Sequence, residues 1–146
     1  MASINSDIYV VQKTEPAPAG YGSQLGANFA YYEATIAVGT SFSAADDTAN
    51  LFVVPAGYRA VPNLWNIACE ALGTAATLDI GTTADPDCIA KSVDVKAATT
   101  KAAAGGVEWL TPTTTTKATT FIATLATANT LTAGAKIVIR AVFAKM

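Results

Sequence analysis

The chain contains no histidine. That absence removes the side chain most often used as a general acid or base near neutral pH, and the commonest zinc ligand with it. A Ser-His-Asp or Cys-His centre cannot be assembled within one chain. Cysteine is nearly as scarce: Cys69 and Cys88 are the only two, and two thiolates without imidazole do not complete a structural tetrahedral zinc site. They read as free thiols that pack like small apolar side chains, and a Cys69–Cys88 disulfide would need an oxidising compartment. Charge is sparse as well. Charged residues make up 14% of 146, with nine Lys plus Arg against eleven Asp plus Glu and a formal net charge of −2. A disordered acidic tail and a basic nucleic-acid-binding surface are both excluded. Nowhere do roughly eighteen apolar residues follow one another, as a membrane-spanning helix requires. The first eleven residues lack the basic segment and sustained apolar run of an export signal. The expectation is a chain made in the cytoplasm, unprocessed, and bound directly to neither membrane nor nucleic acid.

Hydrophobic residues, by contrast, form 51% of the chain, and the length suits one domain with a real core. A weakly charged surface that also carries apolar side chains favours association. An oligomer or a component of an assembly is therefore expected, and an enzyme is not.

Residues 1–30 differ from the rest. Glu15-Pro16-Ala17-Pro18-Ala19-Gly20-Tyr21-Gly22-Ser23 concentrates proline and glycine, which discourage both helix and central strand. The segment reads as an extended arm, and residues 31–146 as the folded domain. Within the arm, Ile8, Tyr9 and Val10 form a short strand-like apolar patch that needs another surface, such as a neighbouring subunit, to pack against. Tyr21, Tyr31 and Tyr32 cluster at the junction of arm and domain. Tyrosine combines apolar area with a hydroxyl and is enriched at interfaces; the other reading is that these rings close one end of the core. Gly20-Tyr21-Gly22 does not make a phosphate loop, because no strand precedes it and no clear helix follows.

From Tyr31 onward the pattern has a period of two. Tyr32, Ala34, Ile36 and Val38 alternate with Glu33 and Thr35, the signature of a half-buried strand. Residues 51–54 form a second strand. Residues 58–72 follow the turn Pro55-Ala56-Gly57 and place Val61, Trp65, Ile67 and Cys69 on one face; Pro62 cannot donate a ladder hydrogen bond and must bend, bulge or edge that strand. Leu78 and Ile80 oppose Asp79 in residues 76–80. Asp85-Pro86-Asp87 is a turn, residues 88–95 are a further strand candidate, and alanine-rich residues 96–104 read as a helical turn or exposed loop closed by Gly105-Gly106. Residues 107–110 are short and apolar around Trp109. The threonine tract that follows favours extended backbone. It leads into residues 117–126, where Phe121, Ala123 and Leu125 alternate with Thr120, Ile122 and Thr124. Residues 135–145 give the clearest strand, with Ile137, Ile139, Ala141 and Phe143 on one face. Alanine favours helix, but the alternation outweighs it. Seven or eight short strands with regular turn signals predict an all-β antiparallel sandwich, best a jelly roll.

Candidate chemistry is thin. Asp79, Asp85, Asp87 and Asp94 lie in one stretch, but they lack the dense alternation and central glycine of a calcium loop, and no paired-carboxylate site for glycoside hydrolysis is apparent. No catalytic residue, metal or cofactor is expected. Trp65 and Trp109 read as core residues, although a surface tryptophan could stack on a sugar ring. The tract 111–120 reads as strand and loop, or as a threonine array facing a flat partner.

The stretch Leu78-Asp79-Ile80-Gly81-Thr82-Thr83-Ala84-Asp85-Pro86-Asp87 is preceded by Val54-Pro55-Ala56-Gly57-Tyr58-Arg59-Ala60-Val61. It is followed by Leu131-Thr132-Ala133-Gly134-Ala135-Lys136-Ile137-Val138-Ile139. Together these resemble small structural proteins of tailed bacteriophages, in particular the β-sandwich decoration, or cement, proteins that bind the outside of capsids. The resemblance spans about residues 31–143. It implies a jelly-roll domain, frequently trimeric, seated where major capsid subunits meet, with extended termini reaching onto neighbours. The expected role is that of a virion structural protein on the capsid exterior, assembled in the host cytoplasm, that bridges and stabilises major capsid protein as a homotrimer. Interface residues would then be Ile8, Tyr9, Val10, Tyr21, Tyr31 and Tyr32. Alternatives are another virion part, such as a tail, fibre or head-tail protein, and a carbohydrate-binding module using exposed Trp or Tyr.

Overall fold

The computed structural model describes residues 3–5, 23–25, 29–106 and 114–146. Eleven strands run through them: β1 (Ser3–Asn5), β2 (Ser23–Leu25), β3 (Phe29–Ala37), β4 (Thr48–Val54), β5 (Tyr58–Ala60), β6 (Asn66–Cys69), β7 (Gly73–Thr82), β8 (Ala90–Asp94), β9 (Thr99–Ala102), β10 (Thr119–Leu131) and β11 (Lys136–Lys145). A single 3-10 turn, Pro62–Leu64, is the only helical element among the described residues. The expected all-β antiparallel sandwich is what forms.

One sheet has the order β1-β4-β10-β7-β8 and the other β2-β3-β11-β6-β9, with β5 also beside β11. Every pairing is antiparallel except that of β1 with β4. Without the short β1, β2 and β5, two four-stranded sheets remain, β4-β10-β7-β8 and β3-β11-β6-β9. That arrangement is compatible with an eight-stranded double-sheet jelly roll.

The alternating residues set the core. In β3 Ala30, Tyr32, Ala34 and Ile36 turn inward, and in β11 Ile137, Ile139, Ala141 and Phe143 do the same. Their opposite numbers come from the other sheet: Leu51, Phe52 and Val54 of β4, Leu78 and Ile80 of β7, and Phe121, Ala123 and Leu125 of β10. A register shift between β10 and β4 leaves Leu51 without a ladder partner, pairing Phe121 with Phe52 and Ile122 with Asn50. This bulge lets two adjacent side chains, Leu51 and Phe52, both be fully buried.

Where the two inner faces meet, five rings interlock. Phe52 stacks on Tyr32 at 5.0 Å and on Phe121 at 5.7 Å between centroids, and Trp65 meets Phe143 edge-on at 5.2 Å. The indole N–H of Trp65, in a site 1% exposed, donates to the Val142 carbonyl at 2.9 Å. Trp65 is thus a core residue with its polar atom satisfied, while Trp109 lies outside the described residues.

Three expectations change. The strand expected over residues 58–72 is divided: Pro62 opens a 3-10 turn, so β5 and β6 pair separately with β11. Proline at the start of such a turn loses nothing, because its missing N–H would have had no partner there. Residues 96–104 hold not a helical turn but strand β9, paired with β6; cross-strand pairing overrides the helix propensity of its alanine neighbours. Both ends of the expected arm carry strands, since Ser3–Asn5 adds to β4 and Ser23–Leu25 to β3. Pro16, Pro18 and their neighbours lie outside the described residues.

Gly81 is fixed by close approach: a Cβ there would run into the Asp85 carbonyl and lie 2.6 Å from the Pro86 carbonyl carbon. Gly81→Ala should lower stability by about 1–3 kcal/mol, read as a shifted chemical-denaturation midpoint. Phe52→Ala, which empties the middle of the ring cluster, should cost about 3–5 kcal/mol. An unchanged midpoint for Phe52→Ala would contradict this packing.

Candidate functional site

Period-two geometry sends the two junction tyrosines to opposite faces of β3. Tyr32 faces inward, is 5% exposed, and touches Phe52 and Phe143. Burial first, and the neighbouring Tyr58 second, push its phenol above the ordinary value. Its side chain therefore serves the core-closing role rather than offering a surface. Tyr31 faces outward, and its hydroxyl donates to Glu33 Oε2 at 2.8 Å. Ile8, Tyr9, Val10 and Tyr21 lie outside the described residues.

Tyr31 belongs to a polar row that crosses three strands. Arg140 on β11 stands opposite Glu33 on β3 and Asn66 on β6. Its Nε donates to Glu33 Oε2 at 2.8 Å and its Nη1 to Asn66 Oδ1 at 3.2 Å. The Tyr31 hydroxyl foremost, then the Arg140 guanidinium, hold the Glu33 carboxyl below its ordinary value. Tyr31 itself is pushed up, by burial first and then by its bond to Glu33. The sequence could not show this row, because residues 33, 66 and 140 become neighbours only through the register of three strands. What the row supplies is a polar outer surface whose charges are matched to one another.

The acidic stretch stays together in part, for Asp87 lies against Asp85 and Lys91, and Asp79 and Asp85 also act on Lys91. Asp79 Oδ1 accepts the Ser92 N–H at 2.6 Å, where β7 and β8 shift register and Ser92 adopts φ +52°. Asp87 pairs with Lys91 at 2.6 Å, and Asp94 accepts the Lys96 N–H at 3.0 Å. Among the described residues no three His, Cys, Asp or Glu side chains come together as a metal site would need. Cys69 and Cys88 are free thiols. Burial pushes the Cys69 thiol up, so it is held as the less reactive protonated form.

At the end of the sandwich where β7 ends and β10 begins lies a cavity of about 480 Å³, bordered by Thr82, Thr83, Cys88, Thr115, Lys117 and Phe121. The described part of the threonine tract, Thr114, Thr115 and Thr116 with Thr119 and Thr120, borders it. Thr115 does structural work there: its Oγ1 accepts the Tyr58 N–H at 3.1 Å and donates to the Pro55 carbonyl at 2.7 Å.

No protein family matches the chain by sequence, and no curated protein does either. Solved structures do match. A chain in the capsid of Ralstonia phage GP4 superposes with a TM-score of 0.71 at 18% identity, over 99% of both chains. A chain in the asymmetric unit of the cyanophage Pam1 capsid gives 0.57 at 18% identity, over 88% of this chain and 93% of that one. A chain in the acid-stable capsid of Helicobacter pylori bacteriophage KHP30 gives 0.51 at 14% identity, over 84% and 92%. The fold is one found in phage capsids.

Because Glu33 has a lowered folded value, its contribution to stability is present above the ordinary 4.5. It is lost as pH falls from there through the folded value. Water screens this half-exposed pair, so the effect is small. Tyr31→Phe should move the Glu33 titration upward in a carboxylate NMR titration, and Glu33→Gln should flatten the acid limb of stability against pH. A Glu33 titration unchanged by Tyr31→Phe would refute the shared hydrogen bond.

Proposed function

We propose that this chain is a virion structural protein that attaches to the outside of a bacteriophage capsid and stabilises it by bridging major capsid subunits as a homotrimer. The observation that carries the reading is the GP4 capsid match, which runs over 99% of both chains. The counterpart is therefore a whole chain of the same extent rather than a domain within a larger subunit. The core is also complete within one chain, each sheet burying its inner face on the other. A core built from the described residues of one chain supports attachment to a shell as a separate unit. Ile8, Tyr9, Val10 and Tyr21 of the arm, with the outward Tyr31, are the proposed reach onto neighbours, and repeated weak contacts around a trimer multiply into firm attachment. The site chemistry favours a structural role over an enzymatic one, because the described polar side chains that the fold gathers are tied to one another on an outer face.

Light scattering on the purified chain and sedimentation with particles that lack it test this reading. The intact chain should have the mass of a trimer and should co-sediment with the particles, raising the temperature at which they release DNA. Removal of residues 1–22 should weaken co-sedimentation more than it lowers the melting temperature of the sandwich. A monomer that neither sediments with particles nor occurs in virions would overturn the proposal. A copy number of only a few per virion would point instead to a tail, fibre or head-tail component.

A further inference from the structure

Among the described residues, one strand pairing differs from the rest. β1 runs parallel to β4, with Ser3 opposite Thr48, Ile4 opposite Ala49 and Asn5 opposite Asn50. A parallel pair is not closed by a tight turn, and these partners lie more than forty positions apart in the chain. Nothing local along the chain therefore ties β1 to its place. What holds it is the ladder itself, together with Ile4, which is partly buried and packs against the sandwich core. β10 takes the other side of β4. Without β1, the outer side of β4 would offer unpaired N–H and C=O groups, which is a seat for an extended strand.

The chain that follows β1 is much longer than the gap it has to cross within one subunit. The next strand, β2, pairs with β3 at the border of the other sheet, with Ser23 opposite Tyr31. Tyr32 of β3 stacks on Phe52 of β4, so Tyr31 stands about level with Val53, a short step along β4 from Asn50. That step and one spacing between sheets put Asn5 and Ser23 about 15 Å apart. About five extended residues cover such a distance. Residues 6–22 number seventeen, and fully extended they reach about 60 Å.

We propose that in the homotrimer the first strand is exchanged, Ser3–Asn5 of each subunit pairing with β4 of the next and Ile4 packing against the neighbour's core. The occupant of this edge is thus a second copy of the chain, and the assignment rests on the trimer proposed above. The register and the place of Ile4 already match this segment to this seat. Every contact of β1 is the same whichever copy supplies the strand, so exchange sacrifices no interaction, and neighbours in a trimer present the strand at high local concentration. Passed in one direction from copy to copy, the strand closes a ring. Separating two subunits then requires a ladder to be broken and Ile4 to be withdrawn.

Disulfide trapping tests this. Directly opposed positions lie about 5 Å apart, within the span of a disulfide. Ser3→Cys and Thr48→Cys are made as separate full-length variants, each with Cys69→Ser and Cys88→Ala, so that every chain carries one thiol. Refolded together and oxidised, they should yield linked pairs of chains on a denaturing gel without reductant, whereas either variant refolded alone should not. A chain carrying both Ser3→Cys and Thr48→Cys should yield a product of three-chain mass. As a check that needs no engineered thiol, Ile4→Asp should raise the concentration at which the trimer dissociates by about tenfold or more, with the β-sheet circular dichroism retained. If light scattering finds a trimer, but the doubly substituted chain links only within itself and the mixture gives no linked pairs, exchange is overturned and the trimer stands. A trimer that dissociates no more readily with Ile4→Asp also overturns exchange. If the unaltered chain is a monomer, the trimer falls and exchange falls with it.

Discussion

The interlocking of five rings between the sheets is the constraint on which the rest of the molecule depends. Tyr32, Phe52, Trp65, Phe121 and Phe143 come from β3, β4, the end of the 3-10 turn, β10 and β11. Their edge-on and offset contacts can be made only in a restricted set of orientations. The bond from the Trp65 indole to the Val142 carbonyl adds a directional tie, so the turn after β5 is locked to the middle of its sheet. With the inner faces fixed in this way, alternation along each strand dictates what faces outward.

That outward face is economical with charge. The three ion pairs among the described residues are all on the surface. Asp47, the single buried charged residue described, folds the loop after β3 by accepting the Ser43 and Ala44 amides at 2.9 and 2.8 Å. Carboxylates are thus drawn into shaping turns and bulges, as Asp79 also is at Ser92. Such a surface has few strong long-range forces to set its partners. Shape, small apolar areas and local charge then do so.

The fold was legible because burial on one side of a sheet imposes a two-residue rhythm on the sequence. The alternation in β3 and β11 could be read directly, and so could the sandwich class. Leu51-Phe52, by contrast, breaks the rhythm at a bulge, and Thr99–Ala102 has no apolar alternation to advertise a strand. The site was much less legible. Tyr31 and Tyr32 were expected to act together, yet one closes the core and the other joins Glu33 and Arg140 outside. Phe29 fell within the expected arm, although the structure makes it the first residue of β3.

The amino-acid sequence by itself determined that the chain lacks histidine chemistry, that it carries little charge, and that it forms alternating strands separated by turns. These are properties of composition and of neighbours along the chain. Tertiary structure alone decided that β3 and β6 flank β11 and that residues 33, 66 and 140 form one row. The reason is physical: local backbone preference makes a strand, but its partner and register are selected by which inward faces fill a common core, and that selection joins residues a hundred positions apart.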